Sequence, residues 1–90
     1  GYKYMLSAIE QVLEDETSLE GVTKILYPDV AKKYNSTPQR VEKAIRHAIE
    51  VAWTDNGVEL RREFQDRKEN KRPTNSEFIS RISAYIKMSA

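Results

Sequence analysis

Between Tyr27 and Trp53 the chain reads YPDVAKKYNSTPQRVEKAIRHAIEVAW, and the junction at its centre restricts how the whole sequence can fold. Thr37 followed by Pro38 is a helix start. The hydroxyl can cap, and the proline ring suits a first helical position where no N–H is needed. From Pro38 onward Val41, Ala44, Ile45, Ala48, Ile49 and Ala52 recur on one helix face, so a long helix over 38–54 is expected. Before it, Val30, Ala31 and Tyr34 give a shorter helix its buried face, with Lys32 and Lys33 outward. Asn35 suits the link because it tolerates the left-handed backbone that often closes a helix. A short helix, a tight turn and a longer amphipathic helix make a helix-turn-helix unit over about 28–54.

The remainder reads as further helices. Tyr2, Met5, Leu6, Ile9, Val12 and Leu13 are spaced for a first helix to about Glu14, which the run Glu14, Asp15, Glu16 ends. Ser18 is the expected N-cap of a short second helix carrying Val22, Ile25 and Leu26. Pro28 opposes helical geometry at Tyr27, so a break is expected there. Asp55, Asn56 and Gly57 close the fourth helix, and Val58, Leu60 and Phe64 suggest a weaker fifth. Thr74 with Glu77 three residues on is a capping box ahead of Phe78, Ile79, Ile82, Tyr85 and Ile86. With no alternating strand pattern and no internal repeat, the expectation is an all-α, single six-helix domain spanning residues 1–90.

Several function classes fit poorly. His47 is the only histidine and there is no cysteine, so nucleophilic triads, thiolate sites and disulfides lack their parts. One histidine among surface carboxylates is poor material for a metal site, and three scattered glycines form no phosphate-cradling loop. Glu10 and Glu14 share a helix face but read as a solvated pair. No enzyme activity, metal or cofactor is therefore expected. No apolar run reaches the length of a membrane span, which argues against a membrane partner. The absence of cysteine favours a cytoplasmic setting, and the start at Gly1 suggests a domain excised from a longer protein.

Net charge is only +1, but it is unevenly spread. Residues 1–30 carry six acids and two bases, whereas residues 31–90 carry eight acids and thirteen bases. On the fourth helix, at 100° per residue, Gln39, Glu42, Lys43, Arg46 and Glu50 fall to one side, Arg40 and His47 stack on a flank, and the apolar residues point away. Such a helix can sit on a core while its polar face enters a DNA groove. Arg and Lys donate to guanine, Gln pairs with adenine, and Glu accepts from cytosine. Every surface helix has a charged face, and Glu42 with Arg46 is also an ordinary i,i+4 pair, so a helical protein-interaction module docking RNA polymerase or another regulator is the alternative. Trp53 reads as core or edge seal. Tyr2, Tyr4, Tyr27 and Tyr34 read as packing, without basic residues interleaved for base stacking. Arg67, Lys68, Lys71 and Arg72 form a charge run able to approach phosphates, as could the helix start at Thr74 to Ser76.

The segment ILYPDVAKKYNSTPQRVEKAIRHAIEVAW closely resembles the DNA-binding effector domain of the stage zero sporulation protein A family of response regulators, and PTNSEFI at Pro73 to Ile79 matches that family too. With the opening GYKYMLSAIE the similarity covers most of the chain. The resemblance implies a six-helix domain that follows a phosphorylatable receiver domain, and a nucleoid-associated bacterial transcription regulator. It implies binding to double-stranded DNA at TGTCGAA-like boxes, with a head-to-tail homodimer on tandem boxes. The family's base contacts, a Glu and two Arg, fall on Glu42, Lys43 and Arg46; Lys43 departs from the pattern and loses the planar two-pronged geometry. Gln39 joins them as an expected base contact. Ser36, Thr37, Arg40, His47, Lys71 and Asn75 are the expected DNA-backbone contacts. The resemblance also implies contact with the housekeeping sigma factor of RNA polymerase through the segment after Trp53. There this chain departs from the family, reading TDNGVELRREFQDRKENKR, shorter and more charged.

Overall fold

A computed structural model describes residues 2–55, 62 and 72–89. Among these the chain is all helical, with no strand. The α-helices are α1 (Lys3–Glu14), α2 (Tyr27–Lys33), α3 (Pro38–Asp55) and α4 (Asn75–Ser89). The expected fifth helix around Val58 to Phe64 lies outside the described residues. Helix α1 packs against α4 and α3, and α2 packs against α3. One core results, centred on Val12, Leu26, Val30, Val41, Ile45, Ile49 and Ile79, with Trp53, Tyr34 and Ile82 half-buried at its margin. The apolar spacing at Val41, Ile45, Ala48 and Ile49 seats α3 as expected. Tyr2 and Leu6 depart from the expected inner face of α1, being more than half exposed at 52 % and 57 %.

The expected second helix forms differently. Glu16–Gly21 is a 3-10 helix and Val22–Leu26 a single π turn. Its cap is Asp15, whose carboxylate accepts from the Thr17 N–H at 3.1 Å and the Thr17 hydroxyl at 2.6 Å. Those hydrogen bonds hold the Asp15 carboxyl below its ordinary value. A carboxylate is a stronger acceptor than a hydroxyl, so the turn starts three residues before Ser18. Ser18 is buried instead, accepting from Gln11 Nε2 at 3.1 Å, while the same amide nitrogen donates to Asp29 at 2.9 Å.

No break occurs at Tyr27 either. Leu26 and Tyr27 both hold right-handed helical angles, and the Tyr27 N–H reaches back to the Val22 carbonyl in a five-residue step. A proline ring normally collides with the carbonyl four residues earlier. Here a π turn precedes Pro28, which stands in the first turn of α2, and the helical path runs through it without interruption.

Between α2 and α3 the chain closes with the hydrogen bonds of a Schellman turn. Ser36 N–H donates to the Ala31 carbonyl at 2.8 Å and Asn35 N–H to the Lys32 carbonyl at 3.4 Å, with Asn35 at φ 52°. Among the described residues Asn35 is the only non-glycine with positive φ. Asn35→Ala is expected to lower stability by about 1 kcal/mol through left-handed strain, whereas Asn35→Gly leaves it unchanged or raises it. Urea-denaturation midpoints of the two variants check this.

Helix α3 then opens as expected, the Thr37 hydroxyl accepting from the Arg40 N–H at 3.2 Å. The capping box of α4 is complete. Thr74 N–H donates to Glu77 Oε1 at 3.0 Å, and Glu77 N–H donates to Thr74 Oγ1 at 3.2 Å.

Candidate nucleic-acid interface

The seating of α3 leaves one polar face outward. Gln39, Lys43 and Arg46 are exposed, turned away from the buried Val41, Ile45 and Ile49, while Glu42 is half-buried at the edge between the two faces. Arg46 Nε lies 3.5 Å from Glu42 Oε1, one turn apart, with both side chains open to solvent. An exposed i,i+4 pair of this kind contributes little to stability, and it can separate without much loss when a base edge offers better partners. Further along the face, Glu50 receives Arg72 at 2.6 Å and His47 at 3.7 Å. The Arg72 hydrogen bond and charge hold the Glu50 carboxyl below its ordinary value, with smaller help from His47 and Arg46. A carboxylate that would repel DNA phosphates is thereby paired with a cation.

The start of α4 meets α3 at Asn75. Its Nδ2 donates to the Tyr27 hydroxyl oxygen at 2.9 Å and to the backbone carbonyl of Glu42 at 3.1 Å. One amide thus joins α2, α3 and α4. Tyr27 is buried, and that burial pushes its phenol above the ordinary range; the Asn75 hydrogen bond opposes the shift and the Glu42 charge adds to it. The phenol stays neutral and serves as a fixed anchor. Around this junction Thr23, Tyr27, Glu42, Arg46, Arg72 and the first residues of α4 line an open cleft.

The expected backbone contacts are placed unequally. Thr37, Arg40 and His47 are exposed at the beginning and along one flank of α3. Ser36 is not presented outward: its hydroxyl is shielded from solvent and its N–H already donates to Ala31. The Asn75 amide points inward to Tyr27 and Glu42, so this residue can face a phosphate only through the N–H groups that open α4. Lys71 lies outside the described residues. On the far flank Lys3 Nζ stands 5.3 and 5.4 Å from the ring centres of Tyr4 and Tyr34, and Lys33 Nζ stands 5.6 Å from that of Tyr34. The tyrosines were expected to serve packing, without basic residues interleaved for base stacking; Tyr4 and Tyr34 do pack together, and lysines also lie over their rings. The signal was present in the repeated Lys-Tyr pairs at 3–4 and 33–34, but only the fold brings them together.

A helical domain that seats one long amphipathic helix with its polar face outward, flanked by lysines and arginines, has the form of a DNA-binding regulatory domain. Comparison with known families defines the class: residues 1–86 match the family described as Sporulation initiation factor Spo0A C terminal, and the chain belongs to that family. It is a family of DNA-binding effector domains rather than of enzymes. Among the described residues no three metal-ligating side chains converge, and no helix is long and apolar enough to cross a membrane.

Proposed function

We propose that this chain is a sequence-specific double-stranded DNA-binding domain of a sporulation-type transcription regulator, in which α2, the Asn35 turn and α3 act as a helix-turn-helix. The observation that carries the reading is the outward face of α3. Gln39, Lys43 and Arg46, with Glu42 beside them, project from a helix whose opposite side is locked by Val41, Ile45 and Ile49. A rigid seat and a set of side chains able to donate to guanine, pair with adenine and accept from cytosine are what major-groove reading needs. Glu42 fits this reading, because its carboxylate can accept from a cytosine amino group once its pair with Arg46 opens. The target is a TGTCGAA-like box. Thr37, Arg40 and His47 fix the register on the phosphates, and two copies bind head to tail on tandem boxes. A receiver domain in the intact cytoplasmic protein controls access.

Salt-titrated fluorescence anisotropy with a duplex carrying the box and a scrambled duplex tests this. Binding of the box at least tenfold tighter, with an affinity that falls steeply with salt, is the expected result. Equal binding of the two duplexes at every salt concentration rejects base reading by α3 and favours the interaction module that docks a polymerase subunit.

A further inference from the structure

We propose that Lys3 and Lys33, seated on the rings of Tyr4 and Tyr34, form a second phosphate-contacting shoulder, on the flank of α3 opposite the start of α4. The proposal rests on the DNA reading of α3 and extends its footprint. The two rings meet edge to face, with centres 5.4 Å apart and planes at 80°. Lys3 lies over both rings and Lys33 over the second. Both lysines are exposed, and among the described residues neither pairs with a carboxylate. The rings narrow the conformations of two flexible side chains before any ligand arrives, which lowers the ordering cost of a contact.

Position identifies the anion. Tyr2, the residue before Lys3, borders a shallow hollow with Ala44, His47, Ala48 and Val51, so the start of α1 lies along the His47 flank of α3. Tyr34 closes α2 and leads within three residues to the Thr37 cap. On the other side of α3, Glu42 and Arg46 border Arg72 and the start of α4. A duplex that receives the face from Gln39 to Arg46 therefore has the α4 start beside one wall of its groove and the lysine–tyrosine cluster beside the other. The ligand is the phosphodiester backbone, read for charge and not for sequence.

The test measures the salt dependence of DNA binding by the full chain, with the box duplex and the scrambled duplex, for Lys3→Ala, Lys33→Ala and the double variant. Each lost phosphate contact lowers the slope of log affinity against log salt by about 0.9. The expected slope is thus smaller by about 1 in each single variant and by about 2 in the double, with the box-to-scrambled ratio unchanged. Lys3→Arg and Lys33→Arg retain the wild-type slope. Lys87→Ala removes the same charge near the opposite end of α4, where Lys87 pairs with Glu16, and leaves the slope as it was. An unchanged slope in the double variant overturns the proposal, as does an equal fall in Lys87→Ala. Because the slope is also measured on scrambled DNA, loss of box preference in the wild type overturns the α3 reading separately.

Discussion

Arg46→Ala is expected to weaken binding to the box duplex by about 1–3 kcal/mol and to relax discrimination at a single guanine, while binding to scrambled DNA changes little. The size follows from what the guanidinium can do at a base edge, where two parallel donors meet the two acceptors of guanine. The fold should survive, because the side chain is about half exposed and its only described ion pair is the 3.5 Å contact with Glu42. An exposed pair of that type is worth about 0.3–0.5 kcal/mol, so the binding loss would exceed the stability loss several-fold. Anisotropy with the two duplexes and with single-position variants of the box reads the effect. A fall of the same size on both box and scrambled duplexes would show that Arg46 touches phosphate, not base.

Ile45→Ala is expected to cost about 2–5 kcal/mol of folding stability, the range for truncating a fully buried aliphatic side chain. Ile45 is completely inaccessible and lies in the middle of the buried side of α3, between Val41 and Ile49. Small domains have only about 5–15 kcal/mol in total, and each kilocalorie shifts the melting temperature of a chain this size by about 4–8 °C. Thermal denaturation followed by circular dichroism should therefore show a drop of at least about 8 °C. Ile86→Ala, at a position 40 % exposed, is the matched comparison and should move it far less. A loss below about 1 kcal/mol at Ile45 would mean that α3 is not locked on its inner side. The rigid presentation of its outer side would then fail as an explanation of DNA reading.

Local signals carried much of this molecule. The Thr37–Pro38 start, the left-handed Asn35 and the Thr74–Glu77 box each depend on residues within four positions of one another, and each forms as written. The apolar spacing placed Val41, Ile45, Ala48 and Ile49 correctly because a single helix generates that pattern. The misses have a different origin. Ser18 and Asp15 are both competent caps, and only the competition between a carboxylate and a hydroxyl decides which is used. Pro28 argued for a break because proline disfavours helical angles at the residue before it, a preference that Tyr27 overrides where it is buried in the core. Asn75 lies 48 residues from Tyr27 and 33 from Glu42, and Tyr4 lies thirty positions from Tyr34, so their partnerships leave no periodic trace. Such contacts become visible only once helices have been brought together.

The Asn75 amide has a consequence for redesign. It holds α3 by a main-chain oxygen, at Glu42, and α2 by the phenol of Tyr27, and it uses none of the outward side-chain atoms of Gln39, Glu42, Lys43 or Arg46. Whatever residue stands at position 42, its carbonyl remains there to be gripped. If α3 reads DNA as proposed, the address and the clamp that aims the helix are therefore written in different atoms. A new binding preference can be written onto the outer face while the aiming mechanism is inherited intact.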